Sequence, residues 1–147
     1  MGVGLIVCRG IPGSGKTTWA KGWVAEDVGT RARVNRDDLR LMMHAGCYRG
    51  GATEPQVIKA QLAMILELLR ADVSVVCDDT NLPRYTLEGL RRTAIEGRAH
   101  YRVQSFLDVP LEVCLARNAE RPTPIPDEVI RGMWEQHVLP TLDEAKP

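Results

Sequence analysis

The sequence is short of several things, and each shortage excludes something. Aromatic residues make up 5% of the 147, with a single phenylalanine, so a core must rest on Val, Leu, Ile, Ala and Met. Neither sign of charge is in excess: 19 Lys and Arg balance 19 Asp and Glu, for a net charge of zero. That excludes a globally basic nucleic-acid coat and an acidic tail, but not a local basic groove, because a sum hides its distribution. No apolar run approaches the roughly 20 residues a membrane helix needs. The apolar stretch from Val3 to Cys8 has neither the basic leader nor the small-residue cleavage site of a secretory signal. The 4 cysteines, Cys8, Cys47, Cys77 and Cys114, form no C-x-x-C pair, which argues against zinc and against a redox motif. Cys8 and Cys77 sit in apolar runs, where a buried free thiol is the plain reading. A reduced, cytoplasmic setting is expected. No repeat or low-complexity tract is visible, and the length suits a single domain over residues 1–147.

What is present alternates. Short apolar runs at 3–8 and 73–77 read as strands buried on both faces. Weaker strands are expected at 33–35 and 101–107. Between them, helical patterns cover 16–26, 37–44, 53–71, 83–96 and 110–120, and a last helix runs from Asp127 to about Leu139. In the third helix Val57, Ala60, Gln61, Met64, Ile65, Leu68 and Leu69 are expected to face inward. Gly97 reads as a helix stop. The glycine-rich stretch 45–53 reads as a mobile loop. The prolines at 122, 124 and 126 exclude a helix there. Strands alternating with helices predict an α/β fold, a parallel sheet covered on both faces. Ligands of such sheets gather outside the carboxyl ends of the strands. The informative segments, 10–16, 37–40 and 78–81, all leave strand ends of that kind.

Gly10-Ile11-Pro12-Gly13-Ser14-Gly15-Lys16-Thr17 fits G-x-x-x-x-G-K-[ST] in full. Its glycines let backbone N–H groups wrap a phosphate, and the helix that follows adds its positive end. Lys16 reaches the β- and γ-phosphates, and the Thr17 hydroxyl ligates Mg²⁺. Asp78-Asp79 closes an apolar strand, where a carboxylate either holds that metal or caps a turn. Asp37 and Arg40 are three apart and share a helical face, as an ion pair or as a base with a phosphate clamp. Arg117 and Arg121 share a face four apart, just before the prolines. They read either as a solvated basic face or as arginines brought over phosphates. His44, His100 and His137 are isolated, and Trp19 with Trp23 reads as core packing.

Several motifs agree with one family. Gly-Ile-Pro-Gly-Ser-Gly-Lys-Thr-Thr-Trp-Ala at 10–20 is followed by Asn-Arg-Asp-Asp-Leu-Arg at 35–40 and Asp-Thr-Asn-Leu at 79–82. Phe-Leu-Asp-Val-Pro at 106–110, Arg117-Asn118, Arg121 and the stretch from Pro126 to Ile130 continue the match. On these residues the chain resembles the 5′-kinase domain of bacteriophage-type polynucleotide kinases. The resemblance implies a P-loop kinase-type three-layer sandwich, with four or five parallel strands in the order 2-3-1-4 and a C-terminal arginine lid. It implies ATP and Mg²⁺, with 5′-OH ends of DNA or RNA as acceptor and a role in nucleic-acid repair. Gly10 to Thr18, with Arg117 and Arg121, would bind the nucleotide, and Lys16 and Arg121 would act in transfer. Asp37 would be the general base, and Arg40 would grip the phosphate beside the acceptor hydroxyl. Asp79 and Asn81 would support the acceptor, and Thr17 and Asp79 the metal. No phosphatase domain is expected, since the chain ends at Pro147. Two further readings stay open: a kinase of a small alcohol such as a sugar or nucleoside, and a nucleotide-binding module without transfer chemistry.

Overall fold

The computed structural model describes residues 2–46 and 50–147. Cys47 lies outside the described residues, as does the centre of the glycine-rich stretch, which is followed by a 3₁₀ turn at Gly50–Ala52.

Successive strand residues point to opposite faces, and β1 (Gly4–Arg9) uses both. Leu5 and Val7 enter one apolar cluster, Ile6 and Cys8 another. β3 (Ser74–Cys77) divides the same way, Val75 and Cys77 against Val76. With β2 (Arg31–Val34) and β4 (His100–Ser105) they form an all-parallel sheet of 4 strands in the order β2-β3-β1-β4. The expected order is therefore found, at the lower expected strand count. β4 is the mostly exposed edge, which explains its weak apolar signal.

Helices α2 (Arg36–His44), α3 (Glu54–Arg70) and α4 (Arg84–Glu96) supply Leu39, Val57, Ile65, Leu69, Leu90 and Ala94 to the first face. On the other face α1 (Lys16–Ala25) contributes Ala20, with Trp19 and Trp23 packed alongside. Trp19 meets Phe106 edge-on at 6.1 Å, so these tryptophans are packing residues, as expected. A third cluster joins Ile11 and Leu82 to α5 (Leu111–Ala119) and to the C-terminal helices through Cys114, Leu115, Ile130 and Val138. Cys8, Cys77 and Cys114 are buried and free.

Two expectations change. Met64 is 40% exposed, not inward. The buried stripe of α3 runs Val57, Gln61, Ile65, Leu69, and each i,i+4 step drifts by about 40°, so the stripe leaves Met64 behind and brings Leu62 against the core. Gly97 ends α4 as expected, with φ −77°, while Arg98, at φ 54°, takes the left-handed turn. Packing at Gly97 is also tight, since a Cβ there would lie 3.0 Å from the Leu69 side chain. The last helix is not one regular piece. α6 (Asp127–Met133) passes through a π turn at Trp134–Val138 into α7 (Leu139–Glu144). Pro140 offers no N–H and its ring crowds the carbonyl one turn earlier, which the wider turn relieves.

Candidate active site

The loop from Gly10 to Gly15 joins β1 to α1. Gly13 and Gly15 adopt φ +83° and +96° there, a region that costs other residues energy. Gly13 has a second constraint, because a Cβ would lie 2.3 Å from the Cys114 carbonyl oxygen on α5. At Gly15 the nearest neighbour would be an Arg117 side-chain nitrogen at 3.6 Å. Gly13→Ala should therefore lower stability more than Gly15→Ala. The left-handed strain common to both is about 1–3 kcal/mol, and the backbone collision comes on top. Thermal melts of the two variants test this order, and equal stability contradicts it.

Lys16 is 7% exposed, and its Nζ donates to the Ile11 carbonyl at 2.8 Å and to Ser14 Oγ at 3.3 Å. Burial pulls its pKa down to about 8, with the nearby Arg121 charge acting the same way, although Cys8 and Asp78 oppose it. A phosphate needs the charged form. Below pH 8 the free protein already holds that proton. Above pH 8 it must take one up on binding. ATP affinity should therefore fall by up to about tenfold per pH unit above 8. Titration calorimetry in buffers of different ionisation enthalpy would show that proton uptake, and affinity that stays flat to pH 9.5 contradicts it.

Asn35 follows β2 and caps α2. Its Oδ1 accepts from the N–H groups of Asp37 and Asp38 at 2.8 and 3.1 Å, while its Nδ2 donates to Asp78 Oδ1 at 3.2 Å. The cap thus ties the end of β3 to the helix that carries Asp37. Asp37 Oδ1 accepts from Arg40, the i,i+3 pairing expected from the spacing, and its side chain is 85% exposed. The rest of the Arg40 fork is engaged by Glu54. Nε donates to Oε2 at 2.9 Å and Nη2 to Oε1 at 2.6 Å. This pairing raises the Arg40 pKa and lowers that of Glu54. Arg36 is held more loosely, 3.6 Å from Asp79 Oδ2 and 3.9 Å from Glu54 Oε1.

The two aspartates that end β3 differ. Asp79 Oδ1 accepts from the Arg36 N–H at 3.0 Å, and Oδ2 accepts from Gln61 and from the Cys77 thiol. Both of its oxygens are therefore occupied in holding α2 and α3 to the sheet. Asp78 is 2% exposed, and its Oδ1 pairs with Arg33 Nε at 2.9 Å. Its Oδ2 is buried with no hydrogen-bond partner among the described residues. An orphaned carboxylate oxygen beside Thr17 suits a divalent cation, and it moves the metal expectation from Asp79 to Asp78. Asn81 is buried and its Nδ2 donates to the carbonyls of Cys8, Cys77 and Asp79, so it stitches β1 to β3. It does not line the cleft, contrary to the expected acceptor contact, and Thr80 stands there instead.

Lys16, Thr17, Asp37, Arg40, Asp79 and Arg121 meet in one cleft of about 260 Å³, together with Asp78. An adjoining cleft of about 280 Å³ takes Gly13, Gly15, Lys16, Thr17 and Thr18 on one side and Arg117 and Arg121 on the other. Arg117 Nη1 also donates to the Gly13 carbonyl at 3.3 Å. The buried Asn118 closes the proline-rich loop that follows, donating to the Ile125 carbonyl at 2.7 Å and accepting from its N–H at 3.1 Å. Sequence reasoning gave no site role to Arg33, Asn35, Arg36, Glu54 or Gln61, although Asn35 and Arg36 stand in the 35–40 motif and Gln61 was expected to face inward. Of their roles only the Asn35 cap left a signal, an Asn just before a helix.

Comparison with known proteins adds to this geometry. A family model described as an AAA domain matches residues 5–140. The chain is 31% identical over 140 residues to an L-seryl-tRNA(Sec) kinase of Methanococcus maripaludis, an alignment covering 92% of this chain and 53% of that one. It is 29% identical over 147 residues to a provisionally assigned bifunctional polynucleotide kinase/RNA ligase of Autographa californica nuclear polyhedrosis virus, covering 90% and 20%. A chain in the solved Pnkp1/Rnl/Hen1 RNA repair complex superposes with a TM-score of 0.83 at 28% identity, covering 98% of this chain and 46% of that one. The chain spans about half or less of the length of these relatives.

Proposed function

The chain belongs to the AAA domain family and has a P-loop kinase fold, and from that premise we propose that it moves the γ-phosphate of ATP onto the 5′-hydroxyl of DNA or RNA. One observation carries the reading: an exposed carboxylate, Asp37, shares a single cleft with the phosphate-loop lysine and with Arg121. A module that only binds nucleotide has no use for that carboxylate. Similarity over 98% of the chain to part of an RNA repair complex supports a nucleic-acid acceptor.

The residues divide the work. Backbone N–H groups of Gly13 to Thr17 and the Lys16 ammonium hold the β- and γ-phosphates. Thr17 and Asp78 would hold Mg²⁺, which when bound offsets phosphate charge. Asp37 takes the proton of the acceptor hydroxyl as its oxygen bonds to the γ-phosphorus. The bond from that phosphorus to the β–γ bridging oxygen breaks, and ADP leaves with the electron pair. Arg121, with Arg117 behind it, meets the charge spread over the moving phosphoryl group. Asp79 acts indirectly, by anchoring the start of α2. An acceptor phosphate can reach Arg40 only in competition with Glu54, so the clamp implied by the resemblance passes in part to the looser Arg36.

A second reading rests on the L-seryl-tRNA(Sec) kinase relative: the acceptor is a seryl hydroxyl carried on tRNA. The experiment is transfer from γ-labelled ATP to a panel of 5′-OH oligonucleotides, seryl-tRNA, a nucleoside and a sugar. Label on the oligonucleotides is the expected result. Label confined to seryl-tRNA selects the second reading, and label on the sugar or nucleoside alone a small-alcohol kinase. No label anywhere leaves a nucleotide-binding module.

A further inference from the structure

Beside the transfer cleft lies a second pocket of different character. It has a volume of about 220 Å³ between α3 and α4, walled by Ile58 and Leu62 on one helix and by Tyr85, Gly89 and Leu90 on the other. Arg36 lines both this pocket and the transfer cleft, so the two adjoin at one residue. The Arg36 Nε is buried and, among the described residues, lacks a hydrogen-bond partner, its ion pair with Asp79 being long at 3.6 Å. Tyr85 is 80% exposed at the rim and Ile58 is also exposed, although each is large and apolar in body. Gly89 stands one turn after Tyr85 on the same face of α4. Glycine in mid-helix is unfavourable, and no close neighbour among the described residues demands it here: a Cβ at Gly89 would meet none of their atoms within 4 Å. The helix gives up a side chain where the side chain would fill the pocket.

We propose that this pocket is a base-binding subsite for the acceptor strand, taking one nucleobase downstream of the 5′-terminal nucleotide while Arg36 holds the phosphate between pocket and cleft. The proposal rests on the polynucleotide reading above. An apolar slot with an aromatic rim suits a base, whose faces stack without regard to sequence. A cation at the slot's inner wall suits the backbone phosphate that must pass from slot to hydroxyl. A sugar or a free nucleoside would fill the cleft and leave the slot empty, so the subsite favours longer acceptors over short ones.

Two substitutions separate the fold from the substrate. Gly89→Leu fills the slot and should raise the melting temperature, because it removes a mid-helix glycine. Tyr85→Ala opens the rim with little structural effect. For a 5′-OH octanucleotide, both should lower kcat/KM by about 5- to 100-fold, the range for losing one stacked base. For a nucleoside 3′-phosphate, which carries no downstream base, kcat/KM should be unchanged in both variants, as should KM for ATP. An abasic scan of the octanucleotide should find one position whose loss costs the wild type that same factor and costs Gly89→Leu nothing more. If the wild type phosphorylates octanucleotides and neither variant discriminates between the acceptors, the subsite is overturned while the kinase reading stands. A wild type that phosphorylates no oligonucleotide overturns both.

Discussion

Lys16→Ala should slow phosphoryl transfer by about 10³-fold, the upper range for losing one preorganised electrostatic group in a desolvated site. Lys16 is positioned for that role by the loop itself, through the Ile11 carbonyl and Ser14 hydroxyl it touches. Its charge is unfavourable while the cleft holds only water, which is why burial pulls its pKa down. Bound phosphates reverse that balance. The substitution should leave the fold intact. Removing a buried, unwelcome cation strands no opposite charge, since Asp78 keeps its ion pair with Arg33. Lys16→Met, which keeps the aliphatic volume, separates packing from charge. Both variants should melt within a few degrees of the wild type, and both should be slowed by about 10³-fold. A folded Lys16→Ala protein with near-normal turnover removes the phosphate loop from the mechanism.

Asp37→Asn should lower kcat by about 10²- to 10⁴-fold, the usual contribution of a positioned general base. The replacement is conservative in geometry. An amide oxygen still accepts from Arg40, and the backbone N–H stays capped by Asn35. What is lost is the capacity to take a proton. ATP affinity should therefore hold, because the phosphates are gripped by Lys16 and the loop. Measuring kcat and the dissociation constant of ATP on the same preparation decides the point. Normal turnover would exclude Asp37 as the base, and lost ATP binding would move it to the nucleotide site.

Much of this was legible in the sequence, and for identifiable reasons. β1 and β3 are buried on both faces, so they stand out as apolar runs between turn signals. The phosphate loop is local chemistry, written in eight consecutive residues. The pairing of Asp37 with Arg40 follows from helix geometry alone. What could not be read depends on contacts distant in sequence. Glu54 reaches Arg40 across 14 positions, and Gln61 reaches Asp79 across 18. Asp78 and Asp79 are adjacent in the chain, and only the fold shows which has an oxygen to spare. The resemblance gave Asn81 an acceptor role through the 79–82 motif, yet its amide faces into the sheet. The π turn before Pro140 and the tight packing at Gly97 likewise depend on where neighbouring turns and helices come to lie.

The most direct test of the central claim places the phosphate on the product. A 5′-OH oligonucleotide is incubated with γ-labelled ATP and Mg²⁺, then digested with a nuclease that releases 5′-mononucleotides. The account predicts all label in the mononucleotide from the 5′ end, with one ADP formed per phosphate transferred and labelling slowed by about 10²- to 10⁴-fold when Asp37→Asn replaces the wild type. Tight ATP binding with label on no oligonucleotide, or on any internal or 3′ position, would contradict it.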